Sequence, residues 1–187
     1  MKKHIPNIIT CCNLICGCIA AYCAFYGGFQ YAFLFVLLGA FFDFFDGMVA
    51  RALGVSGKMG VELDSLADCV TFGVAPSAML FSLFSKVAYP EWMANEFFFS
   101  VMPFTAFLLA AFSALRLAKF NIDERQHTGF IGMPTPANAL LIIGIANSPL
   151  LQAAWTTPVW GLIFLFSLII LTSYLLVCEL PMFSLKT

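Results

Sequence analysis

Charge is what this 187-residue sequence has least of: 9 Lys and Arg and 10 Asp and Glu make up 10% of the chain, while 61% is apolar. An ordinary soluble domain carries about 25% charged residues. So few charged side chains cannot coat a water-facing surface, and a soluble globular domain is excluded. Neither sign is in excess, since the net charge is −1, so whole-chain charge says nothing about nucleic-acid or acidic partners, and no nucleic-acid partner is assigned. Histidine is scarce too, with two in the chain, and the seven cysteines are an odd count lying nearly all in apolar stretches. A disulfide framework is therefore not expected, no Cys/His cluster completes a zinc site, and the thiols read as small hydrophobes. The chain also lacks an internal repeat and a linker long enough to divide it, so one domain over residues 1–187 is expected. Pro6, Asn7 and Asn13 interrupt the first apolar stretch, which argues for a membrane helix there rather than a cleaved leader.

What the sequence has in abundance is long apolar runs, at roughly 8 to 27, 30 to 53, 59 to 84, 97 to 118, 136 to 154 and 158 to 178. Crossing a bilayer takes about 20 helical residues. The pattern predicts an all-α integral membrane protein with six transmembrane helices. Turn residues separate the runs: Gly27-Gly28, the stretch from Gly54 to Gly57, Tyr89-Pro90-Glu91, the polar stretch from Asn121 to Pro136, and Ser148-Pro149. Placing the N-terminus in the cytoplasm gives that side Lys2, Lys3, Arg51, Lys58, Arg116, Lys119, Arg125 and Lys186 and leaves the other side Lys86. Basic residues gather on the cytoplasmic side. Both termini, and the loops after the second and fourth helices, are expected there.

Asp43, Asp46, Asp64 and Asp68 lie inside apolar helices, where a lone Asp costs about 2.5–3.5 kcal/mol on insertion scales. At 100° per residue Asp43, Asp46, Gly47 and Ala50 share one face of the second helix, and Gly60, Asp64, Asp68 and Thr71 share one face of the third. Asp43 and Asp68 sit roughly 14–15 Å below the cytoplasmic end, and Asp46 and Asp64 roughly 7–11 Å. Facing helices would then carry a deep and a shallow pair. Carboxylates so clustered either take up protons or bind hard cations, and oxygen ligands favour Mg²⁺, Mn²⁺ or Ca²⁺. Two such ions could clamp a phosphoryl group. Gly47 and Gly60 clear the same faces for a ligand or for a neighbouring backbone. Arg51 lies one turn above Asp46, able to bond a phosphate or to serve as a positive-inside anchor. Proton-relay carboxylates in a cation transporter are the competing reading.

Written out as Asp43-x2-Asp46-Gly47-x2-Ala50-Arg51-x8-Gly60-x3-Asp64-x3-Asp68, this stretch resembles the signature of the CDP-alcohol phosphotransferase family. The resemblance implies a six-helix fold, commonly a homodimer, that binds two divalent metal ions, Mg²⁺ or Mn²⁺, with Ca²⁺ as a structural stand-in. It implies that Asp43, Asp46 and Asp64 are metal ligands and that Gly47, Ala50, Arg51 and Gly60 line the CDP site. Asp68 is implied as the base, with contact to metal.

Three further stretches are similar to the phosphatidylserine synthases, a branch of that family: Pro6-Asn7-x2-Thr10-x2-Asn13, Thr71-Phe72-Gly73-Val74-Ala75-Pro76, and Arg116-Leu117-Ala118-Lys119-Phe120-Asn121 followed by Phe130 to Pro136. The implied substrates are CDP-diacylglycerol, anchored in the bilayer, and L-serine, with phosphatidylserine and CMP as products of phospholipid biosynthesis. Asn13 stands where several glycerophosphate-using relatives carry Arg, yet glycerol-3-phosphate or inositol phosphate would serve the same chemistry. A zwitterionic acceptor needs a cation for its carboxylate, and Arg116, Lys119 and Asn121 are the candidates, with membrane anchoring as the plainer role. Asn7 and Thr10 are candidates to contact the nucleotide or to cap the first helix. His4 and His127 are assigned no catalytic part.

Overall fold

In a hydrocarbon layer each backbone N–H and C=O has to be satisfied within its own segment, so apolar runs of this length fold as helices. The computed structural model describes residues 4–55, 57–87, 89–91, 95–122, 132–149 and 158–178, and among them it contains helices and no strand. α1 spans His4–Phe25 and α2 Phe29–Leu53. α3 covers Lys58–Phe84 and α4 Glu96–Ile122. α5 is Thr135–Asn147 and α6 is Pro158–Val177. All of these except α5 are long and apolar enough to cross a membrane, giving five candidate spans.

α5 has 13 residues, about 20 Å at 1.5 Å per residue, where a run from 136 to 154 is predicted. It stops because Ser148 is extended, at ψ 119°, and a residue that precedes a proline disfavours the helical region. Residues 150–157 lie outside those described, as do Lys2, Lys3, Arg125, His127, Phe130, Ile131 and Lys186.

Prolines also explain two irregular turns. Pro76 lacks an N–H and its ring crowds the carbonyl four residues back. α3 absorbs this in a π-helical turn over Cys69–Val74 and then continues as Ala75–Phe84. Pro103 sits likewise in a 3₁₀ turn of α4, Met102–Phe107. Asn95 starts α4 by accepting the Phe98 N–H at 3.0 Å.

The turn between α2 and α3 fixes where the signature residues lie. Gly54 adopts φ 61°, a left-handed conformation that glycine takes without steric cost, and the Val55 N–H reaches back to the Ala50 carbonyl at 3.0 Å. α2 thus ends one turn beyond Ala50 and α3 starts almost at once. α1 packs along α2 and against both halves of α3, whereas α2 meets α3 closely only from the π turn onward. Lipid removes the hydrophobic drive for helices to associate, so small residues that permit close packing take over. Ala20 and Ala24 of α1 and Ala32 and Val36 of α2 are fully buried.

The second half of α3 is the central post. Met79, Leu80, Leu83 and Phe84 are sealed in against Leu109 of α4, Ile142 and Ile143 of α5, and Leu165 and Ile169 of α6. Outward positions such as Leu34, Phe41 and Phe44 of α2 and Ile170 and Leu171 of α6 stay exposed, as a lipid-facing surface requires.

Candidate active site at the junction of three helices

Asp64 and Asp68, four residues apart on α3, project from one face, and Asp43 reaches them from α2. Each of the three offers a carboxylate oxygen within 4.8 Å of the others, and all three are half-buried. Asp46 stands apart from this triad. It is buried, and its Oδ2 accepts the Thr10 hydroxyl of α1 at 2.5 Å. The arrangement is a triad with one carboxylate to its side, not two stacked pairs. α1 lies against α2 and supplies the Asp46 donor, while Asp46 stays close enough to Asp43 and Asp64 to interact with both electrostatically.

The triad fits a hard cation. Asp64 Oδ1 is buried without a hydrogen-bond partner among the described residues, and a buried anionic oxygen needs a donor or a positive charge. A donor set made only of carboxylate oxygens suits Mg²⁺ or Mn²⁺.

A cavity of about 360 Å³ opens beside the triad and is lined by Asn7, Thr10, Asp46, Gly47, Ala50, Gly60 and Asp64, together with His4. That volume is in the range of small-molecule pockets, about 300–1,000 Å³. Gly47 and Gly60 do not serve close helix packing. A Cβ at Gly47 would meet only the Arg51 guanidinium at 3.9 Å, and one at Gly60 only Asn7 Oδ1 at 3.6 Å. Both glycines keep the cavity wall low, and the exposed Arg51 holds its guanidinium over Gly47 of that wall.

The three candidates on α4 separate. Arg116 is 9% exposed, has Asp68 as its electrostatic partner and stacks over Phe120 at 5.8 Å from the ring centre. Its Nε has no hydrogen-bond partner among the described residues. Lys119 is half-buried. Asn121 is exposed and donates to Ser65 Oγ at 2.9 Å, which ties the end of α4 to α3. The site thus brings Arg116 to the carboxylates and uses Asn121 as a strap.

Thr71, which helical spacing places on the face of Asp64 and Asp68, and Asn13 of the first span prove to be neighbours of the triad. Asn13 Nδ2 donates to Asp68 Oδ1 at 3.2 Å, and the Thr71 hydroxyl donates to Asn13 Oδ1 at 2.8 Å. The available signal was their polarity in mid-span. Ser113, Thr135 and Asn138 are also buried, with side-chain atoms lacking partners among the described residues.

The profile of the family described as CDP-alcohol phosphatidyltransferase matches residues 3–179. The chain is 41% identical over 160 residues to a CDP-diacylglycerol-serine O-phosphatidyltransferase of Bacillus subtilis, covering 82% of this chain and 82% of that one. It is 32% identical over 191 aligned positions to a protein of the same name from Mycobacterium leprae, covering 98% of this chain and 59% of the relative. A Saccharomyces cerevisiae protein, also so named, is 41% identical over 126 residues, 63% of this chain and 41% of its own. The chain therefore spans most of the Bacillus relative and less than two thirds of the other two.

Proposed function

The chain belongs to the CDP-alcohol phosphatidyltransferase family, and from that membership we propose that it transfers the phosphatidyl group of CDP-diacylglycerol to the hydroxyl of L-serine, giving phosphatidylserine and CMP. The observation that carries the reading is the opening of the carboxylate triad, through Asp64, onto a glycine-walled cavity at the ends of α1, α2 and α3. The relatives' names point to serine as the acceptor.

Asp43, Asp46, Asp64 and Asp68 would hold two divalent ions, Mg²⁺ or Mn²⁺, which when bound supply neutralising charge for the pyrophosphate and the departing CMP. Gly47, Ala50 and Gly60 leave room for the CDP group, Arg51 bonds a phosphate at the rim, and Asn7 and Thr10 border the nucleotide. Arg116 grips the serine carboxylate, with Lys119 and Asn121 nearby at the end of α4. Asp68 takes the proton from the serine hydroxyl as its oxygen bonds to the lipid-bearing phosphorus. The bond from that phosphorus to the CMP oxygen breaks, and CMP leaves.

The proposal places this site, and both termini, on the cytoplasmic side, because the basic residues cluster there. It takes the chain as one domain crossing the bilayer six times, with α5 as the core of the short crossing, and assembling as a homodimer. Purified protein in detergent with CDP-diacylglycerol and Mg²⁺ or Mn²⁺ tests the reaction. CMP should be released with serine, and EDTA should stop it reversibly. Release driven by glycerol-3-phosphate or inositol phosphate but not by serine would overturn the acceptor, and full turnover without metal would overturn the site.

A further inference from the structure

Asn13 of α1 and Thr71 in the π turn of α3 are fully shielded from solvent, at 0% exposure, and the reaction described above gives them no task. A primary amide buried among apolar helices has to satisfy both its ends. Asn13 does so with two different partners: Oδ1 accepts the Thr71 hydroxyl at 2.8 Å and Nδ2 donates to Asp68 Oδ1 at 3.2 Å. The Thr71 hydroxyl also lies 3.2 Å from the Asn13 carbonyl, but it has one proton and the closer acceptor is Oδ1. The acceptor-only Asp68 carboxylate selects this orientation of the amide, because turned over it would set its oxygen against that carboxylate, and the Thr71 hydroxyl then donates to Oδ1.

The helices lock this arrangement. A Cβ at Gly39 of α2 would lie 2.7 Å from Thr71 Cγ2 and 2.9 Å from Asn13 Oδ1, and one at Gly17 of α1 would lie 2.8 Å from Thr71 Cα. Three backbones converge on the pair and pack both side chains closely.

We propose that Asn13, locked by Thr71, is the positioning residue for Asp68. It anchors Oδ1 and fixes the plane of the group, so that the remaining lone pairs of the carboxylate stay directed into the site, where one receives the acceptor's hydroxyl proton. The inference rests on the function proposed above, with Asp68 as base. Asn13 acts through Asp68 and holds neither substrate, so its loss should lower kcat and spare KM.

The test compares full-length wild type, Asn13→Ala, Thr71→Val, Thr71→Ser and the double variant Asn13→Ala/Thr71→Val. CMP release is measured at saturating Mg²⁺, and melting temperature in detergent is recorded for each. Outer partners of site carboxylates are typically worth about 10–100-fold. Asn13→Ala should lose kcat in that range with both KM values held within about twofold. Thr71→Val should fall in the same direction, Thr71→Ser should retain near-wild-type kcat because it keeps the hydroxyl, and the double variant should be no slower than Asn13→Ala. Wild-type kcat in Asn13→Ala would overturn the inference, as would a loss confined to KM. A Thr71→Ser variant as slow as Thr71→Val, or losses that multiply in the double variant, would overturn the part given to the Thr71 hydroxyl. If Asn13→Ala does not fold, the near-isosteric Thr71→Val with an unchanged melting temperature decides alone. Should the wild type prefer another acceptor, the serine reading fails and the same kcat comparison with that acceptor still decides the role of Asn13.

Discussion

Three carboxylates within 4.8 Å of one another are held together against their own repulsion, and this sets what each substitution should do. Asp64→Asn should cost activity at least about 100-fold, beyond the loss typical of an outer-shell partner, while raising the melting temperature in metal-free detergent because one like charge is gone. Loss of activity with a lower metal-free melting temperature would show that Asp64 acts in folding instead. Asp68→Asn should still bind CDP-diacylglycerol, with CMP release slowed by the roughly 10²–10⁴ of a lost general base. Arg116→Lys keeps the charge of a buried side chain and loses the planar fork that grips a carboxylate twice. The KM for serine should rise while that for CDP-diacylglycerol holds, and an unchanged serine KM would remove Arg116 from the acceptor site. The close approach of Asp43, Asp64 and Asp68 was legible in the sequence because helical spacing aligns them on two faces. The hydrogen bond from Thr10 to Asp46 was not, since Thr10 lies on a third helix whose rotation no pairwise spacing reveals.

At the scale of elements, the junction depends on how near α1, α2 and α3 approach. Gly39→Ala would place a methyl group 2.7 Å from Thr71 Cγ2, and because α3 is the buried post, α2 has to move away from it. A lower melting temperature and reduced turnover should follow, since overpacking costs about 1–3 kcal/mol. Gly144→Ala in α5 is the contrast. Its Cβ meets nothing within 4 Å, so turnover and melting temperature should hold or the latter rise slightly, as helix propensity favours Ala by about 1 kcal/mol. Equal damage from both would show that the three-helix approach is not the sensitive feature. Apolar length and turn residues made most helices readable, α2 and α3 to within a residue of their ends. The π turn at Cys69–Val74 was hidden because a proline in an apolar run can be met by a kink, a break or a widened turn, and packing chooses among them. Gly17 and Gly39 went unread for a related reason: the atoms they make room for belong to Thr71, far along the chain.

For the whole molecule the decisive quantity is the number of crossings, because parity sets which side the C-terminus occupies. Five helices are long enough to span, and α5, about 20 Å long, is shorter than a hydrocarbon core of about 30 Å. Yet α5 packs against the π turn of α3 and against α2, and while Leu140 and Leu141 stay exposed, Ile142 and Ile143 are sealed in the core, so its inner face is buried by protein. Irregular backbone at membrane depth is tolerated in such a place. The sixth crossing proposed above would run through α5, and labelling from the two sides of the membrane tests it. Single cysteines at Lys3 and at Lys186 in an otherwise cysteine-free background, labelled with a membrane-impermeant maleimide, should both react in inverted vesicles and neither in right-side-out ones. Lys86→Cys, whose lysine at the far end of α3 lies over the Phe29 ring, should show the reverse. Labelling of the two terminal cysteines from opposite sides would mean an odd number of crossings. That result would leave the carboxylate triad where it is and take α5 out of the spanning set.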